Sequence, residues 1–247
     1  MNSVPLAAVQ AASSITAPGK EVRPNTSLKL SANGVSRWPS MNSPRIYTAQ
    51  QHSFFGEVTS LFVYLASFNT ATEAFGHGVT TIPNTPTHTP VLAGRVVNAS
   101  FPIHELMHKV VRNEWPEEIR VDFSSGVTPI PGSGGIQLQS DAAANLVIQL
   151  VGTAFLKYYE RNAHRPKNVY SNNQRSWPNE WRFAWLLRNA IAHGDRWAIK
   201  DATIPETIWH GVSVSSNDNE KIWFDLNHFI GGGDVLLLLE ELDASPI

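Results

Sequence analysis

The chain has 247 residues, 42% hydrophobic and only 16% charged, with a formal net charge of −2 at pH 7. That is enough apolar material for a sizeable core, which excludes a disordered chain, and the small net charge gives no global sign of a polyanion partner. There is no cysteine, so disulfides, thiolate metal sites and a cysteine nucleophile are excluded.

The N-terminal "MNSVPLAAVQAASSITAPGK" lacks a basic start and a sustained apolar stretch, so no signal peptide is expected. No apolar run approaches the ~20 residues of a membrane span. A soluble, cytoplasmic protein is the expectation. Residues 1–45 carry five prolines among Ser, Asn and Ala and read as an extended arm with little structure of its own.

From about Ala49 the pattern turns helical. Phe54/Phe55, Val58, Leu61/Phe62, Leu65 and Phe68 recur at spacings of three and four, an amphipathic helix. "GHGVTTIPNTPTHTP" is a loop. "HELMHKVVRNEW" is a short helix closed by Pro116, and 124–140 is a Gly/Pro/Ser-rich excursion ending in a cap at Ser140 or Asp141. "DAAANLVIQLVGTAFLKYYER" is apolar nearly all round, which predicts a central helix.

"SWPNEWRFAWLLRNAIAHG" follows, with Ser176 as N-cap, Pro178 in the first turn and Gly194 as the stop. Beyond it, "TIWHGVSV" and "KIWFDL" predict a β-hairpin with strands at 207–214 and 221–226, then a terminal helix capped by Asp234. No βαβ pattern occurs, so the expected class is mainly α with a small β appendage. "GSGG" and "GGGD" lack the strand and lysine context of a phosphate loop.

The average charge hides an asymmetry. Residues 157–200 hold nine Lys and Arg against three acids, a balance of +6, and residues 201–247 hold nine acids against Lys221, a balance of −8. This is either a polyanion site or two surfaces that pair with each other. Trp177, Trp181, Trp185, Trp197, Trp209 and Trp223 interleave with Arg165, Arg175, Arg182 and Arg196. Such aromatics stack bases in some proteins, but tryptophans at helical spacing more often fill cores or interfaces. His164, Arg165 and Lys167 stand at a helix end, within reach of an RNA backbone or of the helix's own last carbonyls.

Polar groups in "RNAIAH" on so apolar a helix need a use. Arg188 and His193 are five residues apart, roughly 140° around a regular helix. They meet only if Gly194 releases the last turn, or if a two-fold partner brings second copies to the same cleft. A helix C-terminus favours an imidazolium and suits His193 to proton transfer. An arginine beside it can hold a phosphate and stabilise charge on phosphorus, and Asn189, one turn earlier, could orient the imidazole.

"LLRNAIAHGD" resembles the signature of HEPN domains, an arginine, a polar residue, three further residues and a histidine at a helix end. The resemblance implies an all-α, up-and-down bundle over 46–200, after the arm 1–45, with the hairpin and terminal helix of 201–247 packed on it. It further implies a metal-independent endoribonuclease of toxin–antitoxin or phage-defence type, needing no cofactor. Its partners would be RNA, a second copy placing the site at a two-fold axis, and an antitoxin protein. Carried over, Arg188 binds the scissile phosphate, Asn189 is the polar second position and His193 moves protons. Arg165, Lys167, Arg182 and Arg196 are the expected RNA contacts, and Asp195 pairs with Arg196 or a partner's arginine. Some HEPN members only bind nucleic acid or dimerise, which is the first alternative.

The second alternative is a zinc peptidase, since "HELMH" matches H-E-x-x-H with His104, Glu105 and His108. Pro102 just before it, Lys109 just after it, the shortness of the helix and the lack of a recognisable third ligand weigh against it. The expected reading is a helix with His104 and Glu105 toward solvent and Leu106, Val110 and Val111 inward.

Overall fold

The computed structural model describes residues 44–77, 91–126 and 142–247. Nearly all of the expected N-terminal arm, most of the 76–90 loop and of the 124–140 excursion, and the cap at Ser140 or Asp141 lie outside them.

Four strands form an antiparallel sheet: β1 (Pro44–Thr48), β2 (Val91–Leu92), β3 (Val97–Ser100) and β4 (Glu118–Ser125), in the order β1-β4-β3-β2. In β4, Ile119, Val121 and Phe123 are buried while Glu118 and Arg120 are exposed, the two-residue period of a half-buried strand. β1 pairs with it along its whole length, Ile46 opposite Arg120. Tyr47 faces the core and Ile46 faces out.

This sheet corrects the expected mainly helical, up-and-down bundle. Among the described residues the architecture is mixed, six α-helices with a four-stranded sheet and a separate hairpin. The long apolar helices carry the strong periodic signal, whereas these strands are short and one face is polar. The alternation after Pro116 was the readable sign of β4.

The helices are α1 (Phe55–His77), α2 (Ile103–Val111), α3 (Ala142–Asn162), α4 (His164–Tyr170), α5 (Asn179–Ala192) and α6 (Gly232–Ala244). α3 packs against α1, α5 and α6, and α6 lies on β3 and β2. Val235 through Leu239 and Leu242 are all buried, so the apolar run of α6 packs on every side.

The acids of α6 fasten it to the rest of the chain. Asp234 accepts the amides of Arg95, Val96, Val97 and Gly231 at 2.6–2.9 Å. Glu240 binds Arg45 (3.0 Å) and the Tyr47 hydroxyl (3.2 Å). Glu241 accepts from the Trp209 indole at 2.6 Å and meets His210 at 2.5 Å. Asp243 accepts the Ser53 amide at 3.1 Å. "GGGD" serves this close approach: a Cβ at Gly233 would overlap the Val97 carbonyl oxygen.

Two local expectations are corrected. α5 takes Pro178, not Ser176, as its N-cap; Ser176 ends a short 3-10 turn (Gln174–Ser176) and donates to the Asn173 carbonyl at 2.8 Å. The hairpin is tighter than expected, with β5 (Thr207–Trp209) and β6 (Val212–Val214) both inside 207–214. His210 (φ 47) and Gly211 (φ 78) form its two-residue turn, the left-handed pair that matches strand twist. Ser216–Asp218 form a 3-10 turn capped by Ser215, and Ile222 and Phe224 make only isolated bridges among the described residues.

Candidate active site at the end of helix α5

α5 buries Trp181, Phe183, Ala184, Leu186, Leu187 and Ala190, which leaves Arg188 and Asn189 at the edge of the buried face. The helix lies close to α3 because Gly152 has no side chain; a Cβ there would sit 3.1 Å from Ile191. Arg188, 36% exposed in its side chain, donates from Nε to Glu160 Oε1 of α3 at 2.6 Å. Its Nη1 reaches Asn189 Oδ1 at 3.4 Å. Among the described residues neither Arg188 Nη2 nor Glu160 Oε2 has a hydrogen-bond partner. Tyr159 is buried beside the pair; burial first, then the Glu160 charge, pushes its phenol up, with Arg188 pulling the other way.

His193 is the C-cap of α5, its amide bound to the Asn189 carbonyl at 3.0 Å. Its side chain is exposed and its imidazole makes no hydrogen bond to a described residue. No hydrogen bond joins it to Arg188. The Asn189 side chain meets the guanidinium of Arg188, and no hydrogen bond joins it to the imidazole.

The chain then reverses through two left-handed residues, Gly194 (φ 84) and Asp195 (φ 63). Asp195 is not paired with Arg196. Its Oδ2 accepts from Gln149 of α3 at 2.7 Å and its Oδ1 from the Trp223 indole at 2.9 Å. The turn that presents His193 is thus fixed from both sides.

The expected RNA contacts divide. Arg165 donates to the carbonyls of Leu242, Ser245 and Ile247 at 2.7–3.1 Å and lies over the Trp181 ring; it closes the C-terminus of α6. Arg182 donates to the carbonyls of Gln174, Arg175 and Trp177 at 2.8–3.3 Å. Each guanidinium thus gives three of its hydrogen bonds to backbone carbonyls, and Arg182 keeps Nη1 outside them. Arg196 is exposed and its side chain donates to the Glu220 carbonyl at 2.7 Å, and Lys167 is exposed. Trp177, Trp181, Trp197, Trp209 and Trp223 are buried, and Trp185 is half-buried, so the tryptophans belong to the core.

"HELMH" does lie on a helix, α2, with Glu105 exposed and Leu106 buried. Val111 faces solvent, contrary to expectation, at 68% exposure. The His104 side chain lies outside the described residues, among which no three metal-ligating groups converge. No described helix is long and apolar enough to cross a membrane.

Glu160 was not singled out from the sequence, because nothing in "KYYERN" tells which helix its carboxylate meets. In comparisons with known proteins, the chain matches no family model, no curated protein and no solved structure.

Proposed function

We propose that the chain is a metal-independent endoribonuclease acting at the end of α5. One observation carries the reading: an arginine is held in place by a carboxylate while an exposed imidazole, free of hydrogen bonds to described residues, stands five residues on at the capped end of the same helix. The Nη1–Nη2 edge of Arg188 offers a phosphate two parallel donors, and the guanidinium stabilises charge developing on phosphorus. His193 exchanges its proton with substrate and solvent. RNA supplies its own nucleophile, the 2′-hydroxyl, so the cut leaves a 2′,3′-cyclic phosphate and a 5′-hydroxyl.

The resemblance of "RNAIAH" to the HEPN motif supports the same reading. It extends to a homodimer with two such sites facing across a two-fold axis, to cytoplasmic RNA as substrate, and to restraint by an antitoxin protein. The Arg188–Glu160 pair favours a second reading, a module that binds nucleic acid or a protein partner without catalysis, because the carboxylate offsets the charge that Arg188 would bring to phosphorus.

The test is end-labelled RNA incubated with and without EDTA, using the wild type, Arg188→Ala and His193→Ala. Cleavage that survives chelation and is lost in both variants supports the ribonuclease. RNA binding without cleavage supports the module. Cleavage retained by His193→Ala overturns the proposed site.

A further inference from the structure

All the charge of α3 lies in its last two turns, as Lys157, Glu160 and Arg161. Glu160 and Arg161 stand three and four residues after Lys157, so the three share the outer side of the helix. Ala163 keeps a right-handed helical conformation (φ −59, ψ −17), and α4 follows it at once with Lys167. Lys157, Arg161 and Lys167 are exposed, and the Glu160 carboxylate on the same face holds Arg188 at 2.6 Å. We infer that this outer face of α3 and α4 is the track on which a single RNA strand runs to Arg188, held by its phosphates. The choice of RNA as occupant rests on the ribonuclease reading above.

The balance of charge on this face favours an anion. Glu160 is compensated by Arg188, and the buried Glu57 of α1 by Arg161 at 2.5 Å. Lys157 and Lys167 make no hydrogen bond or ion pair with a described residue. A phosphate therefore meets their full charge without first breaking a pair. They stand ten residues apart, about 15 Å at helical rise, a span of several phosphates.

The residue types fit a nucleic-acid strand better than a lipid surface. A lysine is a point charge on a flexible stem, which follows a phosphate chain without reading its bases. A helix that lies on a membrane sets apolar side chains beside its cations. From Lys157 to Asn168 every exposed residue is polar or charged, and Tyr158, Tyr159, Ala163 and Pro166 are buried.

The probe is a fluorescein-labelled single strand of mixed sequence, 2′-deoxy throughout, which offers phosphates but no 2′-hydroxyl to attack. Its anisotropy is followed across a salt series. Lys157→Gln and Lys167→Gln should each weaken binding roughly 2–5-fold. Each should also flatten the slope of log affinity against log salt by about 0.7. Lys200→Gln makes the same change of charge at an exposed lysine outside α3 and α4 and should leave the slope unmoved. The substituted lysines are exposed and unpaired, and unchanged thermal midpoints check the fold. If the double variant binds the probe as the wild type does, while RNA is still cut and Arg188→Ala abolishes the cut, the track fails alone. If the lysines matter as expected but no RNA is cut, the track stands and the ribonuclease reading fails. A wild type that ignores the probe at low salt, or sediments with anionic phospholipid vesicles instead, overturns the inference.

Discussion

Asp234 Oδ1 lies 2.9 Å from the amide nitrogen of Val97, which joins the first turn of α6 to the first residue of β3. The same carboxylate holds three further amides, and Asp234 is fully buried. Burial pushes its carboxyl up, and the four amides pull it back toward ionisation. Asp234→Ala strands those donors, and each stranded buried donor costs about 1–3 kcal/mol. Urea unfolding should show a loss of about 3 kcal/mol or more. A loss under about 1 kcal/mol would mean that the amides find other acceptors.

His210 and Glu241 make stability depend on pH. The hydrogen bond to Glu241 raises His210 above its ordinary 6.5, with burial opposing. A base raised on folding contributes fully below its unfolded value and loses that contribution as pH rises through the folded one. His210→Asn keeps a residue that tolerates the left-handed turn. The stability gap between wild type and this variant should be largest below about pH 6.5 and should narrow above it. A gap that stays constant into alkaline pH would contradict this.

Arg165 ties the end of α6 to the rest of the chain, so its contribution to stability can be separated from its expected part in RNA binding. Arg165→Ala removes three bonds to the last carbonyls of the chain and the contact with Trp181. It should lower unfolding free energy by about 2 kcal/mol. RNA affinity, measured by filter binding below the melting transition, should not move. A large affinity loss at unchanged stability would return Arg165 to the RNA surface.

Asp195 joins a backbone cost to a side-chain benefit. Asp195→Ala loses the bonds to Gln149 and Trp223 and leaves a Cβ at φ 63. Asp195→Gly loses the same bonds but relaxes the backbone by about 1 kcal/mol. Alanine should therefore destabilise more than glycine. The reverse order in thermal unfolding would show that the left-handed conformation is not retained in the variants.

What the sequence revealed follows the strength of each local signal. The apolar periodicity of 54–68 and 142–162 and the Gly194 stop were legible, because a helix repeats its pattern over many turns. The edge strand at Pro44–Thr48 was hidden by its proline and its brevity, and the strand at 118–125 by charges on its outer face. The turn at His210–Gly211 was missed because 207–214 reads as one continuous strand, with the polar "SSNDNE" as the more obvious turn. At the site, Arg188, Asn189 and His193 were named from their spacing. Glu160, Gln149 and Trp223 were not, because their partners lie 28 to 46 residues away and no local pattern encodes the pairing. The basic block could not show that Arg165 and Arg182 each bind three backbone carbonyls, because composition does not display such bonds.

The chemistry of the new RNA ends is the most direct measurement. Mass spectrometry of the products formed in EDTA should find a 2′,3′-cyclic phosphate on one fragment and a 5′-hydroxyl on the other, with no cut where the scissile nucleotide is 2′-deoxy. A 5′-phosphate facing a 3′-hydroxyl, or cleavage of the deoxy-substituted strand at the same position, would contradict attack by the 2′-hydroxyl and the proposed work of Arg188 and His193.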